Sequence, residues 1–116
     1  MFRFVLVAVV ALAACEEADN RPVTLEYITV AILQPSCSQY VCHSSYRKER
    51  GYAFDTVAAA KLSLRPLVVP GDLETSLLNT VLIRNVQRMP YDSPLPDKDI
   101  ELIQRWIEGG APGLAE

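Results

Sequence analysis

Two cysteines, one histidine and one methionine are the side chains with the most distinctive chemistry in this 116-residue sequence. Cys37 and Cys42 are separated by four residues, and His43, the only histidine, directly follows the second of them. Met89 precedes Pro90 and lies 46 residues after His43. Two thiols and one imidazole supply three zinc ligands without a fourth close by, so a zinc site is not expected.

The segment from Cys37 to His43 resembles the attachment motif of c-type haem, which usually reads Cys-x-x-Cys-His. The resemblance implies that Cys37 and Cys42 bind the haem vinyl groups as thioethers and that His43 is the proximal iron ligand. The sequence departs from the usual motif, because four residues rather than two separate the cysteines. Some haem c sites of multihaem cytochromes have the longer spacing.

Met89 extends the resemblance to small single-haem cytochrome c-like domains. In that family a methionine before a proline, in a loop that leads into an amphipathic C-terminal helix, is the distal iron ligand. The resemblance therefore implies that Met89 is the distal ligand, and a thioether stabilises reduced iron and raises its potential. The alternative is that Met89 fills a gap in the core.

The resemblance covers residues 24–113. Three further segments resemble the family. They are Ile32-Leu33-Gln34-Pro35-Ser36-Cys37, a Pro-Gly-Asp-x-x-x-Ser-x-Leu segment over 70–78, and Trp106-Ile107 with Gly110-Ala111. It implies an all-α, cytochrome c-like fold of about four short helices, with long proline-containing loops around one covalent haem c. In that fold the first and last helices pack together, which here would bring Ile28 and Ile32 to Ile103 and Ile107.

Hydrophobic periodicity independently predicts helices before and after the Cys-His segment. An apolar helical stripe runs from Val23 to Leu33 and is expected to end at Pro35, although its β-branched content also allows a strand. The most regular pattern covers 97–108, where acidic residues begin the helix and Gly109-Gly110 end it.

Two shorter helices are predicted between these, from their N-cap candidates. Asp55 is expected to cap a helix that reaches Lys61. Asp72 or Thr75 is expected to cap a helix that reaches Ile83.

Further residues are candidates for supporting the haem site. Pro66 or Pro70 could offer a backbone carbonyl to the outer nitrogen of His43. Arg84 and Arg88 could pair with a haem propionate or be solvated.

The N-terminus has the features of a signal peptide and a membrane anchor. Residues 4–14 are apolar, follow Arg3, and are too few to span a bilayer, which matches the h-region of a signal peptide. Leu12-Ala13-Ala14-Cys15 resembles the bacterial lipoprotein lipobox, which implies removal of residues 1–14 and lipidation of Cys15. Residues 15–22 would form a lipidated tether and 23–113 the domain. Glu16 after the cysteine favours the outer over the inner membrane, by the sorting rule of such lipoproteins.

Without residues 1–14, the chain has 10 basic and 14 acidic side chains and a net charge of −4, because Arg3 is the only charged residue removed. No basic stripe remains, so nucleic acid is not an expected partner. The sequence also lacks a nucleophile–histidine–acid set and a glycine-rich phosphate loop.

The predicted function is that of an electron-transfer lipoprotein of the bacterial cell envelope. It would face the periplasm or lie on the outer membrane and exchange electrons with redox partner proteins. It is expected to be a carrier rather than an enzyme. The main alternative is a haem-free structural or interaction lipoprotein, because in an oxidising compartment Cys37 and Cys42 could form a disulfide across their short loop. A haem peroxidase or sensor is a third possibility, and it requires that Met89 leave the distal site open.

Overall fold

A computed structural model describes residues 17–39, 42–91 and 93–115. These residues are helical and contain no β-strand, which confirms the predicted helical character. The elements are α1 (Leu25–Ile28), a π-helical turn (Thr29–Leu33), α2 (Gln34–Cys37), a 3-10 turn (Glu49–Gly51), α3 (Val57–Leu64), α4 (Leu77–Ile83) and α5 (Asp97–Glu108). The proposed signal peptide and Cys15 lie outside the described residues. Among those described, no helix is long and apolar enough to cross a membrane.

The first helical region continues past Pro35, where the sequence predicted that it would end. Thr24 caps its start, since the Thr24 hydroxyl accepts a hydrogen bond from the Tyr27 amide at 3.2 Å. A π-helical turn precedes the proline, and the Gln34 amide reaches back to the Thr29 carbonyl. Proline has no amide hydrogen and crowds the carbonyl four residues earlier, so a wider turn lets the chain stay helical. Cys37 therefore lies at the end of a helix.

The two middle helices form near the expected positions, but other residues cap them, and α3 continues to Leu64, three residues beyond its predicted end at Lys61. Thr56, not Asp55, caps α3, and its hydroxyl accepts the Ala59 amide at 3.0 Å. The Asp55 carboxylate instead accepts the amide and hydroxyl of Ser45, at 2.8 and 2.7 Å, and these hydrogen bonds lower the pKa of Asp55. Asp55 thus holds the loop that follows His43 against the start of α3.

Ser76 occupies the N-cap position of α4, for which the sequence offered Asp72 or Thr75. Its hydroxyl accepts the Val69 amide at 2.9 Å and donates to the Asp72 carbonyl at 2.7 Å. Gly71 has a φ of +81°, which favours glycine, and its amide donates to the Ile107 carbonyl at 2.7 Å. These contacts connect the Pro-Gly-Asp segment to the end of α5.

Helix α5 has the predicted bounds and the predicted glycine stop. The Ala111 amide bonds to the Trp106 carbonyl and the Gly110 amide to the Ile107 carbonyl, as in a Schellman motif, with Gly110 at a φ of +95°. The Trp106 indole is fully buried and donates to the Pro112 carbonyl at 3.1 Å.

The core combines buried residues of the first helical region, α3, α4, α5 and the segments between them, and α1 contacts α5. Ile28, Ile32, Ile103 and Ile107 are at most 1 % exposed and belong to one cluster. This agrees with the expected pairing of the first and last helices. Leu114 is also buried in that cluster, one residue beyond the domain end proposed at 113.

We predict that Ile103→Ala lowers the free energy of unfolding by about 2–5 kcal/mol, because a fully buried isoleucine is replaced by a cavity. Val30→Ala is the matched control, since Val30 is in the same helical region as Ile32 but is 56 % exposed. Denaturant unfolding of both variants checks the difference. Equal losses in the two variants would contradict this description of the core.

Candidate functional site

A cavity of about 340 Å³ brings together all four side chains selected from the sequence. Cys37, Cys42 and His43 line it together with Met89, although Met89 is 46 residues from His43 in the sequence. The volume lies within the usual range of ligand pockets, about 300–1,000 Å³. The remaining wall is largely proline and small polar residues, with one carboxylate, and is formed by Pro35, Ser36, Gln39, Glu49, Pro90, Tyr91, Ser93, Pro94, Leu95 and Pro96.

His43 is fixed through both of its backbone groups. Its amide donates to the Cys37 carbonyl at 3.1 Å, which closes the cysteine loop on the end of α2. Its carbonyl accepts the Phe54 amide at 2.8 Å. The Phe54 ring also packs on the imidazole edge-on, with centroids 5.3 Å apart. The position of His43 is therefore fixed by contacts with Cys37, before it in the chain, and with Phe54, after it.

The outer nitrogen of His43 lies beside the Tyr52 backbone carbonyl, with 3.3 Å between Nδ1 and the oxygen. The sequence had suggested Pro66 or Pro70 for this contact, and both suggestions are wrong. A carbonyl oxygen only accepts hydrogen bonds, so Nδ1 carries the proton in this contact. In the neutral imidazole this leaves the lone pair on Nε2, which is the form in which histidine binds a metal.

The two thiols are free. Burial, with a smaller contribution from the nearby Cys42 thiol, raises the pKa of Cys37 to about 12. At neutral pH Cys37 is therefore a protonated thiol, and it reacts slowly wherever a thiolate is needed.

The loop that carries Met89 is attached to the C-terminal end of α4. The Met89 amide donates to the Val81 carbonyl at 2.8 Å, and the Arg88 guanidinium donates to the Leu82 carbonyl at 2.8 Å. These are carbonyls of the last helical turn, which have no partner within the helix. Arg84 closes the loop by donating to the Gln87 carbonyl at 2.9 Å.

Arg84 and Arg88 thus have a role that the sequence analysis missed. They do not line the cavity, and instead they hold the loop that presents Met89 to it. The arginine pair before Met89 was visible in the sequence. The hydrogen-bond acceptors of the two arginines were not visible, because they are backbone carbonyls whose positions depend on the path of the loop.

Comparison of the chain with known protein families, curated proteins and solved structures finds no match in any of the three. Within the described residues, no three His, Cys, Asp or Glu side chains group so as to hold a metal ion. A histidine and a methionine form a ligand set of a different kind, because methionine is not one of those four residue types. Among the described residues, His43 and Met89 line the same cavity as Cys37 and Cys42.

We predict that Arg88→Gln loosens the Met89 loop. Loss of a charged hydrogen bond costs about 1.5–3 kcal/mol, so amide exchange over residues 84–91 is expected to rise about tenfold or more. Lys61→Gln removes the same charge from α3 and is the control. Hydrogen-exchange mass spectrometry measures both variants, and unchanged exchange in this loop would exclude the positioning role.

Proposed function

We propose that this protein is an electron-transfer lipoprotein of the bacterial cell envelope that carries one covalent haem c. The observation that supports the proposal best is the convergence of Cys37, Cys42, His43 and Met89 on one cavity. Two thiols, a histidine with a free Nε2 and a thioether are the groups that a haem c with His/Met ligation requires.

In this proposal Cys37 and Cys42 would hold the haem through thioether bonds, and His43 and Met89 would be the two side chains that bind its iron. The bound group supplies iron that alternates between Fe(II) and Fe(III), which makes the protein a carrier of single electrons. The protein's own contribution is to orient His43 through the Tyr52 carbonyl and Met89 through the end of α4.

The composition of the cavity wall fits a large apolar ring. Pro35, Pro90, Pro94 and Pro96 contribute apolar rings and have no amide hydrogen that would need a partner when a ligand covers them. Leu95 is 5 % exposed and connects this wall to the core. A ligand that fills the cavity would therefore bury its own apolar surface together with that of the wall. The prolines have no backbone N–H that could lose a hydrogen-bond partner.

The second candidate is a haem-free structural or interaction lipoprotein with a Cys37–Cys42 disulfide. The four-residue spacing, which departs from the usual haem motif, and the position of both thiols in one cavity favour this alternative. A disulfide, however, would leave the presence of His43 and Met89 in the same cavity without a role. The haem-bearing form is therefore the preferred proposal.

The deciding experiment is expression in a host with cytochrome c maturation, followed by intact-mass measurement and absorption spectroscopy. The proposal predicts a mass raised by one haem, and a haem spectrum that survives denaturation because the bonds are covalent. A mass lower by two hydrogens than the free-thiol chain, with no haem absorption, would contradict the proposal and support the disulfide.

Met89→Ala then tests the distal ligand in the haem-bearing protein. We expect this variant to lose the sulfur-to-iron charge-transfer band of the oxidised protein. Tyr91→Ala is the matched control, because Tyr91 lines the same cavity but is 71 % exposed and is not a proposed ligand. A band unchanged by Met89→Ala would remove Met89 from the site and favour an open distal position.

A further inference from the structure

Three consecutive residues after the 3-10 turn form the surface against which His43 packs. The Tyr52 carbonyl lies 3.3 Å from Nδ1 of His43, and the Phe54 amide donates to the His43 carbonyl at 2.8 Å. The Phe54 ring adds the edge-on contact with the imidazole. We call residues 52–54 the backing segment. The orientation of the His43 ring is only as well fixed as this segment is.

The backing segment is extended, so its backbone groups alternate between two edges. Tyr52 has a φ of −104° and a ψ of 140°. In an extended chain the N–H and C=O of one residue point to one edge, and those of the next residue point to the opposite edge. Tyr52 and Phe54 therefore face His43, whereas Ala53 faces away from it. Ala53 is 4 % exposed, so its amide needs a protein partner on that far edge.

The partner of the Ala53 amide is the hydroxyl of Ser63, which accepts it at 2.9 Å. Ser63 lies in α3 and is 9 % exposed. A serine within a helix usually bonds to a carbonyl of its own helix or points to solvent. The Ser63 hydroxyl instead leaves its helix for a residue ten positions earlier in the chain. This contact ties the backing segment to α3.

A second contact holds the chain just beyond the backing segment. Gln34, the first residue of α2, donates from Nε2 to the Asp55 carbonyl at 2.8 Å. Asp55 is three residues beyond Tyr52, whereas Ala53 is covalently joined to both Tyr52 and Phe54. The Ser63 contact therefore acts more directly on the two groups that meet His43.

We propose that Ser63 is a positioning residue for His43, because its hydroxyl holds the far edge of the backing segment and so keeps the Tyr52 carbonyl at Nδ1. That carbonyl accepts the Nδ1 proton and leaves the Nε2 lone pair for a ligand in the cavity. Free neutral histidine prefers its proton on Nε2, so the backing segment acts against an intrinsic preference. A firm Nδ1–H···O contact also makes the imidazole a stronger donor to a metal. The statement about a metal rests on the proposed function, whereas the statement about the proton does not.

The test uses the full-length chain labelled with nitrogen-15 histidine. His43 is the only histidine, so the spectrum reports a single imidazole. Two-bond proton–nitrogen spectra at alkaline pH, where an imidazole is neutral, show which ring nitrogen carries the proton. In the haem-free protein we expect mainly Nδ1–H. Ser63→Ala should lower the ratio of Nδ1–H to Nε2–H about threefold to tenfold, the range that loss of a neutral hydrogen bond gives.

Ser76→Ala is the matched control. Ser76 is also buried, and its hydroxyl accepts the Val69 amide at the same distance of 2.9 Å, but it holds the start of α4. This variant should keep the parent ratio. Ser63→Thr retains the hydroxyl and should also stay near the parent ratio, because Ser63 borders a second cavity, of about 220 Å³, with room for a methyl group.

Three results in the haem-free protein would overturn the proposal. The first is a ratio that Ser63→Ala leaves unchanged or that Ser76→Ala changes equally. The second is a Ser63→Thr variant as altered as Ser63→Ala, which would assign the effect to packing rather than to the hydroxyl. The third is a parent protein with the ratio of free histidine.

If the purified protein carries haem, the midpoint potential is the readout, because Nε2 is then occupied. Ser63→Ala should raise the potential by about 30 mV, which is a threefold change in the ratio of reduced to oxidised protein at 59 mV per tenfold. Ser63→Thr and Ser76→Ala should stay near the parent value, and a potential unchanged by Ser63→Ala would overturn the positioning role. The absorption spectrum of the same sample judges the proposed function separately, since haem-free protein contradicts that function but still allows the proton to be located.

Discussion

The contact between α1 and α5 is the interaction on which the cavity depends, because each helical region carries one wall of it. The first region buries Ile28 and Ile32 and continues through the π-helical turn to Cys37 at its end. Helix α5 buries Ile103 and Ile107 and begins at Asp97, directly after Pro96, which also lines the cavity. Packing of the two apolar faces therefore sets the separation between the cysteine segment and the proline-rich segment, and hydrophobic burial supplies the free energy that holds it.

Two backbone attachments convert this scaffold into a site with defined ligands. The cysteine loop is closed by the bond from the His43 amide to the Cys37 carbonyl, and Tyr52 fixes the proton on His43 Nδ1. The Met89 loop is attached to the free carbonyls at the end of α4 by its own amide and by Arg88. Neither loop has regular structure over most of its length. Their positions come instead from hydrogen bonds to helix ends and to the chain beyond the 3-10 turn, which is how a small helical protein can orient two ligands from long loops.

The sequence predicted most of the helices because their signals are local. Helix α5 combines a continuous apolar stripe with a Gly-Gly stop, and its bounds were predicted correctly. Pro35 was misread, because proline normally ends a helix and the compensating π-helical turn has no sequence signature. The meeting of Met89 with His43 could be expected only from the cytochrome c resemblance, since no local pattern relates residues 46 positions apart. The contact of the Tyr52 carbonyl with His43 depends on tertiary placement, and composition alone gives no sign of it.

The central proposal is that His43 and Met89, which line the same cavity, would together bind one haem iron. Iron K-edge X-ray absorption of the matured protein tests this claim most directly, because it identifies the atoms bound to the metal. The account predicts one sulfur scatterer in the first shell, with nitrogen at the remaining positions, and loss of the sulfur when Met89 is replaced by alanine. A first shell of nitrogen and oxygen alone, or a matured protein without iron, would contradict it.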